Sequence, residues 1–246
     1  MALAIAMAMG VSGCSPVMYR PNSHLAPLFR GPGEVHAWAR LGMGSPDASP
    51  EIEGEVQAAF SPLNHVGVFM SAAGGRQHRI GEVGAGTYVR VNSRVRAELL
   101  LGYGQGKVNA EGTYRHAGDA PLPFPLWVYA PGERYRVTAD YERIVAQANI
   151  GLDVSSTDVL GAAVRVSEVR LFNIDLDRLP QEDARGHYLE PAVFARIRRG
   201  IIGTEGQVGY SIPLRKENQD RFEARTFYLS MGLHLRIDAL YQRLHR

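Results

Sequence analysis

Residues 94–108 read RVRAELLLGYGQGKV. Val95, Ala97, Leu99, Leu101 and Tyr103 fall on one side of an extended chain, and Arg94, Arg96 and Glu98 on the other. A period of two is the mark of a strand, because successive side chains point to opposite faces of the sheet. One face is oily and the other charged, which two environments allow. A water-soluble barrel buries the oily face inside, whereas a membrane barrel turns it to lipid and fills its lumen with polar groups.

The same alternation recurs on both sides of this stretch. It starts at Glu34 and ends at Asp238, in ten runs: 34–43, 51–60, 65–73, 79–91, 94–108, 138–154, 158–172, 187–198, 204–214 and 223–238. Ile144, Ala146, Ala148, Ile150 and Leu152 oppose Arg143, Gln147 and Asn149 in one of them. Leu229, Met231, Leu233, Leu235 and Ile237 oppose Tyr228, Ser230, His234 and Arg236 in the last. The expected fold is all-β: one antiparallel up-and-down barrel of about ten strands, of the transmembrane type, over residues 34–238.

The connections predict its orientation. Short links at 61–64, 92–93, 155–157 and 199–203 alternate with longer ones at 44–50, 74–78, 109–137, 173–186 and 215–222. Membrane barrels keep short turns on the periplasmic side and long loops outside. An even strand number then places both ends of the barrel on the short-turn side.

Charge usage supports the membrane reading. The polar faces carry arginines at 40, 90, 94, 96, 143, 165, 196, 198 and 236, and glutamates at 55, 98 and 190, while Lys107 and Lys216 are the only lysines. A solvated surface would hold many lysines, and the planar guanidinium suits enclosed, multiply bonded ion pairs better. Unpaired charge in a narrow lumen is costly, so the interior is expected to be a plugged polar network. A net charge of +2 argues against a nucleic-acid partner, which would normally come with a clustered basic face. A lone cysteine excludes an internal disulfide and a multi-cysteine zinc site.

That cysteine closes MALAIAMAMGVSGC. A short apolar core followed by small residues is a secretory signal, here residues 1–13. The Cys14 that follows resembles the lipobox of bacterial lipoproteins, which implies acylation of its thiol. At about 0.8 kcal/mol per buried CH₂, several acyl chains would anchor it firmly. Residues 14–33, rich in Pro and Gly, are expected to form an extended tether joining the lipid to the barrel from the periplasm. Residues 239–246 would form a periplasmic tail.

Candidate sites for chemistry are few. Gly102–Lys107 lacks the Ser/Thr and the helix of a phosphate loop. His78, His116 and His187 lie on expected outer loops with Asp119, Asp140 and Asp183, the residue types that omptin-type proteases use at their rim, although no matching motif is present. Ser230 and His234 share the polar face. No metal-ligand spacing occurs, and no cofactor is expected. The loop 109–137 holds Phe124, Trp127, Tyr129 and Tyr135 among prolines, a candidate contact surface.

The last run, Ser230–Ile237, resembles the signal read by the barrel-assembly machinery. Tyr19-Arg20-Pro21-Asn22, the turn Ser61–His65, Leu189–Gly200 (LEPAVFARIRRG) and Gly206–Leu214 (GQVGYSIPL) are similar to a poorly characterised family of outer-membrane barrel lipoproteins of Bacteroidetes-type bacteria. The resemblance implies an outer-membrane barrel and no assigned activity. The expected role is structural or binding, with membrane lipid and, during biogenesis, the assembly machinery as partners. Two alternatives stay open: an omptin-like or other hydrolase at the rim, and a soluble periplasmic barrel carrying lipid inside.

Overall fold

In a computed structural model, residues 17–44, 52–113, 134–217, 223–224 and 227–237 are described. Ten long strands form the wall: β1 (Val35–Gly44), β2 (Ile52–Leu63), β3 (Val66–Gly74), β4 (His78–Arg90), β5 (Val95–Thr113), β6 (Arg134–Asp153), β7 (Asp158–Leu176), β8 (Ala184–Arg199), β9 (Ile202–Tyr210, resuming as Ile212–Glu217) and β10 (Phe227–Arg236). Each pairs antiparallel with the next, and β10 pairs with β1 from Tyr228↔Gly44 to Arg236↔His36. The sheet thus closes on itself, which is what lets strands cross hydrocarbon with their backbone groups paired.

Side chains point as the alternation predicts. Leu99, Leu101, Ile144, Ile150, Leu160, Met231 and Leu233 are exposed on the outer wall, while Arg40, Arg143, Arg165, Arg196, Glu190 and Glu205 are buried within. Apolar side chains line the outside from Val95 to Tyr103 on β5 and from Ile144 to Leu152 on β6, nine residues each. That is the span of a tilted transmembrane strand, about 9–11 residues. Outside greasy and inside charged is the reverse of a lipid-carrying soluble barrel, and that alternative fails on this observation. Replacing Leu99 with Arg should cost about 2–4 kcal/mol of barrel stability. Urea titration of the barrel folded into vesicles would measure it; an unchanged midpoint would mean that this wall does not face hydrocarbon.

Toward the long-loop end both faces invert. Gln105, Lys107, Glu168 and Arg170 point outward, and Val108, Ala110, Val137, Ala139, Val169, Leu171 and Ile174 are buried inside. Outside the membrane the solvent around the wall becomes water, so charge moves out and oil moves in, as in a soluble barrel. The inward apolar residues form one cluster with Met18, Ile80 and Tyr188, a dome over the lumen.

Two expectations about loops change. The link between β3 and β4 is tight, with Gly75 N donating to His78 O at 2.8 Å, so long and short links do not alternate strictly. The segment expected as a loop at 109–137 is partly hairpin. β5 and β6 stay paired up to Thr113↔Arg134, because Val108, Ala110, Val137 and Ala139 continue the alternation to build the dome. Gly102–Lys107 lies inside β5, which explains its failure as a phosphate loop. The tail 239–246 lies outside the described residues.

Candidate functional site: a lumen filled by the chain's own N-terminal segment

The lumen is occupied. Met18–Phe29, the segment expected to be a tether outside the wall, is buried within the barrel. It runs in the direction opposite to the one expected. Val17–Tyr19 pairs with Glu223–Ala224 between β9 and β10, and Met18 sits in the dome, at the long-loop end. Phe29 packs with Trp38 and Tyr88 near the short turns, and Gly33 N donates to Ser61 O at 2.7 Å before the chain turns into β1. The wall's start is at the short-turn side, as predicted, but the segment that precedes it enters from the other side. Alternation could not reveal this, since a thread through a lumen has no period of its own.

The wall grips the backbone of the thread. Arg165 donates to the carbonyls of Asn22 (3.4 Å) and Ser23 (3.2 Å), Gln207 to that of His24 (3.1 Å), and Gln147 and Asn149 to that of Leu25 (2.5 and 2.9 Å). Arg196 donates to Ala26 O (2.5 Å) and Pro27 O (3.4 Å), and Arg96 to Leu28 O. In return, Glu55, Gln207 and Glu98 accept the N–H groups of Ser23, His24 and Phe29. Pro21 and Pro27 bring no N–H to satisfy, which suits the stretch beyond Tyr19, where no strand pairing continues among the described residues. Buried backbone groups must find such partners, and here side chains of the wall supply them.

Side chains of the thread complete ion pairs of the wall. Arg20 donates to Glu53 at 3.0 Å. Asn22 donates to Glu82 at 2.9 Å and to Glu55 at 3.2 Å, while its carbonyl oxygen accepts from Arg143 and Arg165 at 2.5 and 2.8 Å. The Tyr19 hydroxyl donates to Glu190 at 2.5 Å, and its ring stacks on Tyr188 at 4.4 Å. His24 Nε2 donates to Glu190 O at 2.8 Å, leaving Nδ1 to accept from the Tyr228 hydroxyl. Below, Glu205 joins Arg40 and Arg196 and accepts from Trp38 Nε1 at 3.3 Å. Both guanidinium carbons lie 5.5 Å from the centre of a Trp38 ring.

Glycine makes the room. A Cβ at Gly151 would come within 2.3 Å of Leu28 Cδ1, and one at Gly67 within 2.8 Å of the Phe29 ring. Leu28 itself adopts a left-handed backbone (φ 53°), a conformation that persists in a branched residue only where its surroundings over-determine it. A void of about 10 Å³ among Asn22, Leu25, Phe69 and Arg165 is at the limit for a single water.

No sequence-family model matches this chain, and no curated protein matches it. Among solved structures it is similar to the outer-membrane protease OmpT of Escherichia coli, with a TM-score of 0.50 and 9% identity over 83% of this chain and 94% of that one. It also matches the KdgM porin (TM-score 0.41, 12% identity, 81% of this chain and 98% of that one) and the NanC porin (TM-score 0.43, 8% identity, 81% and 98%). The likeness to OmpT is one of fold: the architecture is that of outer-membrane barrels.

The rim candidates are engaged elsewhere. His78 Nε2 lies 2.5 Å from the Tyr141 hydroxyl, Asp140 pairs with Lys107 at 2.9 Å, Asp183 pairs with Arg170 at 2.8 Å, and His187 lies 3.8 Å from Glu168. His234 bonds to His36 at 2.9 Å rather than to Ser230. His116, Asp119, Phe124, Trp127, Tyr129 and Cys14 lie outside the described residues, and Tyr135 is placed in β6. Sequence reasoning missed the thread-binding roles of Gln147, Asn149 and Gln207. The available signal was amides on a face otherwise chosen for charge.

Proposed function

We propose that this chain is an outer-membrane barrel lipoprotein of structural or binding role, without enzymatic activity and closed to solutes by its own N-terminal segment. The single observation that carries this reading is the buried thread Met18–Phe29, bonded to the wall along its length. A barrel built to conduct would keep that space for water. Support for the envelope placement comes from the apolar outer belt of transmembrane height. Tyr19, Asn22, Glu190 and Gln207, all within the motifs that resemble the Bacteroidetes-type lipoprotein family, bond to one another's neighbours in the lumen.

The lipid then goes to a particular leaflet. Cys14 precedes Val17 by three residues, about 10 Å of extended chain. The apolar belt of such barrels is about 25 Å tall. Acyl chains on Cys14 therefore enter the outer leaflet, at the long-loop end, and not the inner one expected from the position of β1. On this reading the N-terminus lies outside the periplasm, the reverse of the expectation from the position of β1, and Cys14 stays the lipidated residue.

Growth with a labelled fatty acid tests lipidation: wild type should carry label and Cys14→Ala none. An epitope inserted directly after Cys14 tests the leaflet. Antibody should bind it on intact cells; binding only after the outer membrane is opened would return the lipid to the inner leaflet. Heat-modifiable gel mobility and fractionation with the outer membrane test the barrel itself.

A further inference from the structure

Charge is distributed unequally between the two ends of the barrel. At the long-loop end basic groups meet acids: Lys107 with Asp140, Arg136 with Glu111, Arg170 with Asp183 and Arg185 with Glu168. At the short-turn mouth arginines outnumber the acids that meet them. Alternation and the exit of the thread put Arg30, Arg90, Arg94, Arg96, Arg198 and Arg236 on the inner side of this mouth, against the carboxylates of Glu34 and Asp153. Among the described residues of this mouth, six arginines thus face two carboxylates.

The partners account for few of them. Asp153 is shared by Arg96 and by Arg30 at 3.5 Å, and Glu34 lies 3.8 Å from Arg236. Arg90, Arg94 and Arg198 have no carboxylate partner among the described residues; Arg90 and Arg198 donate only to turn carbonyls. Arg96 is buried, and its Nε has no acceptor among the described residues. Guanidinium groups this close repel one another, and a buried donor without an acceptor carries the full cost of its lost hydration.

The arginines also enclose space. Arg30, Arg90, Arg94 and Arg96, with the hydroxyls of Ser93 and Ser155, line a recess of about 480 Å³ between the β4–β5 and β6–β7 turns. This falls in the roughly 300–1,000 Å³ range of ligand sites. Guanidinium forks bind planar oxyanions with two parallel hydrogen bonds. Asp153 and Val154 also line the recess, and strand alternation turns Arg90, Arg94 and Arg96 toward the lumen rather than toward the bilayer. An anion reaches it from the water of the periplasm more readily than from a lipid whose tails stay outside the wall.

We propose that the short-turn mouth is a binding site for an acidic periplasmic peptide carrying at least two carboxylates, one seated on Arg90 and Arg94 and one reaching Arg96 beside Asp153. The site sits at the opposite end from Val17 and stands whether or not Cys14 is acylated. It would connect the barrel to a peptide-bearing partner beneath the membrane.

The test uses the full chain in nanodiscs of phosphatidylcholine and a dye-labelled hexaglutamate peptide, read by fluorescence anisotropy. Hexaglutamate should bind, hexaglutamine should not, and binding should weaken at least tenfold at about 1 M salt, where screening acts within about 3 Å. The exposed pair of substitutions Arg90→Gln and Arg94→Gln should lower affinity at least tenfold while the heat-modifiable band stays intact. Equal binding of hexaglutamine, or undiminished binding to the double variant, overturns the proposal. So does loss of peptide binding when the discs contain phosphatidylglycerol, which would assign the recess to lipid phosphate.

Discussion

A barrel lacking residues 18–29, with a flexible linker in their place, should conduct ions in a planar bilayer where the intact chain is silent. The thread fills the lumen from the dome to the short turns, and what surrounds it is polar. Without it, Arg143, Arg165 and Arg196 lose Asn22 and the carbonyls from Asn22 to Pro27, and water must take their place. The emptied lumen admits that water, so the ring stays closed while ion flux rises by at least tenfold. Stability falls at the same time, because the apolar contacts of Met18, Leu25, Leu28 and Phe29 are lost, at about 1.5–3 kcal/mol for each such side chain. Gly151→Phe, which would occupy the place of Leu28, should reproduce part of the flux without deletion. A folded, silent deletion variant would show that the thread is not what closes the barrel.

The second large effect lies at Glu205. This carboxylate is 1% exposed and holds Arg40, Arg196 and the Trp38 indole together. Changing Glu205 to Ala leaves two buried guanidinium groups facing each other across a hole. Removing one member of a buried ion pair costs about 3–5 kcal/mol, since the remaining charge is uncompensated. Here two are stranded, so the folded band should move to a markedly lower temperature in a heat-modifiability series. The exposed pair Arg136–Glu111 supplies the contrast: Glu111→Gln should change stability by no more than about 1 kcal/mol. Equal effects at both sites would mean that the lumen is hydrated enough to screen its charges.

Much of this architecture was readable from residue order. Val95 to Tyr103 announces a strand with one oily face, and the scarcity of lysine on the opposite face announces an enclosed interior. The ten alternating runs set the strand number, and the lysine-poor charged face tells which side meets lipid. The thread was harder to place. YRPNSHLAPLF is polar and proline-rich, and by composition it suits an exposed linker as well as a lumen lined with guanidinium and carboxylate groups. What distinguishes the two is the wall: Gln147, Asn149 and Gln207 donate to carbonyls that only a neighbouring unpaired chain offers. Such partners are long-range in sequence and leave no local pattern. The dome was missed for a related reason. Val108 and Val137 continue the alternation of their strands, but the meaning of the two faces swaps where lipid gives way to water, and residue order does not mark that plane.

The direction of the thread bears on how the protein is made. A peptide that enters at the far rim and joins β1 at the near one cannot be drawn through a finished ring if acyl groups cap its leading end. With acyl groups on Cys14, the ring would have to close around a strap already laid along the growing sheet, the chain wrapping its own beginning before it shuts.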